Sequence, residues 1–178
     1  MKFFLKLILL PWSILRWIFC WLIYKGPAYN PAKWNSVPFV QCSNNCYNYA
    51  CDIETDTFAQ PGLASGAVAN QMACADVSTG ATADGLAAAG PNDACSGCCH
   101  RVALVVAPGE DFHWYRLDSS GYWSHKPGST PAKNVDNSGQ LITDPRTADR
   151  GPYTDFCGFF CVCNASVHIQ GYGPPPWC

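Results

Sequence analysis

Twelve cysteines constrain this 178-residue chain more than any other feature, because 15 glycines, 14 prolines and only 13% charged residues accompany them. A chain so rich in turn formers gains stiffness from covalent bridges, and bridges persist outside the reducing cytosol. The domain is therefore expected to be exported. Cys20 lies within an apolar stretch, which leaves Cys42, Cys46, Cys51, Cys74, Cys95, Cys98, Cys99, Cys157, Cys161, Cys163 and Cys178 for the domain. That number is odd, so even complete pairing strands one thiol. Cys46 is the candidate for it, since Asn44 or Asn45 would cap a short helix beginning there and place the thiol at the positive helix end. The pairing itself is not legible. Cys95 and Cys98 with Cys157 and Cys161 also have the spacing of a tetrahedral zinc site, a competing use of the same residues.

The length allows one domain of roughly 150 residues after an N-terminal segment, enough for a true core. A net charge of −2 with no basic stripe argues against a nucleic-acid partner. Residues 7–24 are apolar except for Ser13 and Arg16 and follow Lys2 and Lys6. With no small-residue cleavage site behind it, the run reads as an uncleaved signal-anchor over residues 1–25, transmembrane or interfacial. At 100° per residue, Lys6, Ser13 and Arg16 share a stripe that would face partner transmembrane helices. The basic N-terminus stays inside, so the domain would sit in the periplasm or extracellular space.

Residues 26–40 are rich in Pro and Asn and are expected to run extended as a linker to a domain over 41–178. Residues 61–95, poor in large side chains, read as a surface excursion with weak helical patches at 67–77 and 81–89. Arg101 to Ala107 is an unbroken aliphatic run, the mark of a strand buried on both faces. The aromatic arms Phe112–Leu117 and Tyr122–His125 flank Asp118-Ser119-Ser120-Gly121, a β-hairpin pattern. A tight two-residue loop would put His113 and His125 on opposite faces, whereas a one-residue shift would put them side by side. Residues 129–150 form a polar stretch long enough to need tying down. The expected class is α+β: a membrane helix, then a disulfide-rich domain whose antiparallel sheet packs on a short Cys-bearing helix.

The run Asn45-Cys46-Tyr47-Asn48-Tyr49-Ala50 resembles the nucleophile helix of papain-like cysteine hydrolases of the NlpC, CHAP and amidase type, and the His113 to His125 hairpin resembles their histidine strands. The resemblance covers about residues 42–51 and 100–126. It implies Cys46 as nucleophile, His113 as general base and His125 as orienting group, with Gln41 at the oxyanion and Asp136 as a rival orienter. His100, which precedes the aliphatic run, is a rival base, and Cys157 a rival nucleophile in a permuted order. Peptidoglycan peptides or acylated amines would then be substrates, without any cofactor. The alternative is a non-catalytic accessory or structural subunit of a membrane complex, its helix docked in the bilayer and its bridged domain forming an exterior cap.

Overall fold

The structure, a computed structural model, describes residues 11, 14, 15, 20 and 24–178. Among the described residues, α1 (Pro31–Asn35), α2 (Pro38–Ser43), α3 (Cys46–Cys51) and α4 (Cys74–Ala83) are short helices that accompany five strands. The strands are β1 (Ala87–Ala89), β2 (Cys99–Ala107), β3 (Asp111–Leu117), β4 (Trp123–His125) and β5 (Asp155–Cys163), forming one antiparallel sheet in the order β1-β5-β2-β3-β4. The α+β domain with its antiparallel sheet thus has the expected composition.

β2 is central, and its aliphatic run is buried on both sides because alternate residues feed two cores. Val102, Leu104 and Val106 pack with Trp114, Phe160 and Val162 against α3 and α4. Ala103 and Val105 point the other way, to Tyr115, Trp123, Ile142 and Phe159. The 129–150 stretch covers this second face, as its length demands. A bridge pairs Lys133 with His125, another joins Val135 to Leu141, and the Asp136 carboxylate accepts the backbone N–H groups of Ser138, Gln140 and Asp149.

The N-terminal expectations need correction. Among the described residues no helix is long and apolar enough to cross a membrane. Cys20, inside the expected spanning run and four residues before its end at Tyr24, is bonded to Cys98 beside β2. In a spanning helix Cys20 would lie about 6 Å below the exterior end, within the hydrocarbon layer, so its bond to a loop of the exterior domain argues against a span over residues 7–24. Lys6, Ser13 and Arg16, the expected stripe toward partner helices, lie outside the described residues.

Residues 26–40 do not run extended. Pro31 and Pro38 each start a short helix, as proline suits a first helical turn. Trp34 is buried at 1% exposure against Tyr49 and Ala132, and Asn35 trades hydrogen bonds with the Ala132 backbone. The 61–95 excursion also joins the core, for α4 buries Val77, Gly80 and Ala81. A Cβ on Gly80 would stand 2.7 Å from the Pro61 carbonyl oxygen, so only glycine lets α4 approach that closely.

The remaining bridges are Cys42–Cys178, Cys74–Cys157, Cys95–Cys161 and Cys99–Cys163. The four cysteines of the zinc reading are therefore all committed to disulfides. Cys99 and Cys163 face each other in register across β2 and β5, and Cys74–Cys157 ties α4 to β5. Closing chain lengths of 64 to 136 residues, such bridges each contribute about 2–5 kcal/mol by restricting the unfolded chain. Cys46 and Cys51 stay unpaired and buried. Alkylation in denaturant without reductant should therefore add two adducts, on Cys46 and Cys51. Six or more would show that the bridged scaffold does not form.

Candidate functional site

The hairpin register decides the geometry. Tyr115 pairs with His125 and Leu117 with Trp123, leaving residues 118–122 as the connection. Residue numbers in each pair therefore sum to an even value, which puts His113 and His125 on one face as diagonal neighbours. Their rings meet with His113 Nε2 2.7 Å from His125 Nδ1, and Tyr115 stacks on His125 with centroids 4.9 Å apart. His125 Nε2 lies 3.0 Å from the Val135 carbonyl oxygen, which can only accept, so Nε2 carries the proton. Its Nδ1 is then the acceptor and His113 Nε2 the donor. Neutral His113 is left with an unprotonated Nδ1, able to take a proton from a neighbour.

α3 supplies the thiol. Asn45 accepts hydrogen bonds from the N–H groups of Tyr47 and Asn48, while the Asn48 side chain accepts from the Asn45 N–H, a reciprocal capping box. Cys46 begins this helix, and its thiol donates to the Phe112 carbonyl at 3.9 Å. Cys46 and His113 line one cavity of about 120 Å³, with Asp111, Tyr153, Phe58 and Gln60 among its other walls. Cys46 and His113 thus border one cavity and His125 stands behind His113, but the Cys46 thiol bonds to the Phe112 carbonyl and to neither ring.

Their ionisation differs from what a helix-start position implies. Burial pushes the Cys46 thiol up to about 12, and Asp111 adds to the effect. Burial likewise pushes His125 down to about 4 and His113 well below its ordinary value, where the neighbouring His125 reinforces the shift. A six-residue helix cannot offset such desolvation. At neutral pH the site holds a neutral thiol beside a neutral imidazole, not an ion pair.

The rivals fall elsewhere. His100 sits at 2% exposure with Nε2 2.7 Å from the Ala50 carbonyl oxygen, behind α3. Cys157 is bridged to Cys74 and has no thiol to offer. Gln41 is not among the cavity walls; its backbone carbonyl accepts from Lys126. Asp136 serves its own turn.

Two buried cations escaped sequence reasoning. Lys126 donates its ammonium protons to the carbonyls of Gln41, Asn44 and Gly128, and burial lowers it to about 8. Arg116 joins Asp118, Asp52 and the Tyr49 ring. The one signal for either was a charged residue within an otherwise aromatic, half-buried hairpin.

No family model matches this chain, and no solved structure matches it. Insoluble matrix shell protein 1 from Ruditapes philippinarum is 53% identical to it over 134 residues, covering 75% of this chain and 88% of that protein. Identity that high over nearly the whole relative is decisive. The chain belongs to the insoluble matrix shell protein 1 family. This membership overturns the expectation of a membrane-anchored cysteine hydrolase, since the relative is named for an insoluble matrix and not for an activity. It equally removes the membrane-complex subunit with docked partner helices. What stands for this member of the shell matrix family is an exported, disulfide-rich domain outside the cell.

Proposed function

We propose that this protein is a non-catalytic structural component of an insoluble extracellular matrix. The carrying observation is its 53% identity, across 88% of the relative's length, to an insoluble matrix shell protein. The fold supports the reading. Five long-range bridges and a two-sided core suit a part that must persist outside the cell without chaperones. The desolvated Cys46 thiol, held neutral, suits endurance better than turnover.

Sequential extraction of the secreted matrix provides the test. Antibody detection should find the protein in the residue left by salt and neutral detergent, and denaturant with reductant should release it. Recovery chiefly in the membrane fraction, or freely in the first salt extract, would overturn the proposal.

A further inference from the structure

Ten of the twelve cysteines are bridged, yet Cys46 borders a cavity and remains a thiol. Something must keep oxidants from it. Cys51 on the same helix is fully buried and needs no guard, but Cys46 lines a space large enough for a small molecule.

The walls of that space include half-buried Phe58, which also lines a neighbouring groove formed with Thr57, Tyr172, Pro174, Pro175 and Trp177. Phe58 adopts φ 55°, a left-handed conformation that a bulky residue holds only when its surroundings impose it. Two sets of contacts do so. Its N–H donates to the Ser43 carbonyl at 2.7 Å, fixing the backbone. Its ring meets Trp177 edge to face, with centroids 6.5 Å apart.

Trp177 is in turn anchored although 70% exposed. Its indole N–H donates to Ser129 Oγ at 3.2 Å, and Ser129 Oγ donates to the Cys42 carbonyl at 2.9 Å. The next residue, Cys178, is bonded to Cys42. At the other end of the segment the Gln60 N–H donates to the Gln170 carbonyl, and the Gly171 N–H donates to Thr57 Oγ1 at 2.8 Å. Residues 170–178 thus cross the 57–60 segment, tied down on both sides of Phe58.

We propose that residues 170–178 form a disulfide-locked strap that holds Phe58 as a lid over the Cys46 cavity, shielding the thiol from small oxidants and electrophiles. The strap acts through Trp177, and the Cys42–Cys178 bridge sets its position.

Native, unreduced full-length protein treated with iodoacetamide and mapped by peptide mass supplies the test. Trp177→Ala keeps the bridge, while the double variant Cys42→Ser/Cys178→Ser removes the anchor without adding a thiol. Phe58→Gly removes the lid ring and suits the left-handed backbone, so it tests the lid without adding backbone strain. Each should alkylate Cys46 at least about tenfold faster than the wild type, reflecting easier local opening, while Cys51 stays unmodified. Unchanged Cys46 rates in all three would overturn the strap. Parallel labelling of Cys46 and Cys51 would overturn it too, since that marks general loosening and not an opened lid.

Discussion

Acidification from pH 7 to 4 should cost this domain about 6 kcal/mol or more, because three buried histidines must remain neutral for it to fold. His100 and His125 are each pushed down to about 4 by burial, and His113 lies well below its ordinary value for the same reason. The folded pKa is depressed for all three. Their contribution is therefore complete above the unfolded value near 6.5 and is lost as pH falls from there toward 4. Each loses about 1.4 kcal/mol per pH unit in that window, so His100 and His125 account for about 3 kcal/mol apiece. Asp118 opposes the trend, since burial raises its carboxyl. Asp136, held low by backbone N–H donors, and Asp144, held low by Arg146, add losses only at still lower pH. Melting curves at constant ionic strength should show Tm falling by roughly 10–20 °C between pH 7 and 4. His100→Gln should flatten that slope by about one histidine's share. A Tm independent of pH over this range would show that the histidines are not buried as described.

The second large effect belongs to Arg116. Its guanidinium, at 1% exposure, donates to Asp118 Oδ1 from Nε at 3.1 Å and Nη2 at 3.0 Å, and Nη1 reaches Asp52 Oδ1 at 3.1 Å. It also stacks on the Tyr49 ring at 4.1 Å and donates to the carbonyls of Tyr49 and Ala28. Three segments converge on one side chain: the chain entering α1, the end of α3, and the hairpin. Arg116→Leu would leave Asp118, itself 1% exposed, without its countercharge, and should cost about 3–5 kcal/mol. Arg116→Lys keeps the charge but not the planar fork, and should fall between. Adding Asp118→Asn to Arg116→Leu should restore part of the loss, because the stranded charge causes much of it. Equal urea midpoints for Arg116→Leu and wild type would refute the role.

Local signals in the sequence located several elements of the candidate site. Asn45 before Cys46 announces a capped helix, and that cap forms. The aliphatic run through Val106 announces a strand with two dry faces, and the aromatic arms around Asp118–Gly121 announce a hairpin. Each rests on chemistry within a few residues, so each could be read directly. The resemblance to a hydrolase site named Cys46, His113 and His125; the two histidines bond to each other and Cys46 shares a cavity with His113, yet a shared cavity does not settle chemistry. Kinship with a shell matrix protein overturns the membrane-anchored hydrolase, and a thiol kept neutral by desolvation supports the proposed structural role.

By itself, the sequence determined the exported and bridged character, the strands of the hairpin, the capped helix at Cys46 and an unpaired thiol there. The tertiary structure decided whatever depends on distant partners. It chose the hairpin register, because the parity of a five-residue connection is a packing outcome and sets which face each histidine occupies. It paired Cys20 with Cys98 and so left Cys51 as well as Cys46 unbridged, because disulfide connectivity follows spatial approach and not spacing along the chain. It drew Trp34 out of an apparent linker, since a pocket beside Tyr49 was there to bury it. Above all it raised the Cys46 pKa, because desolvation comes from the atoms that surround a group, and those come from every part of the chain.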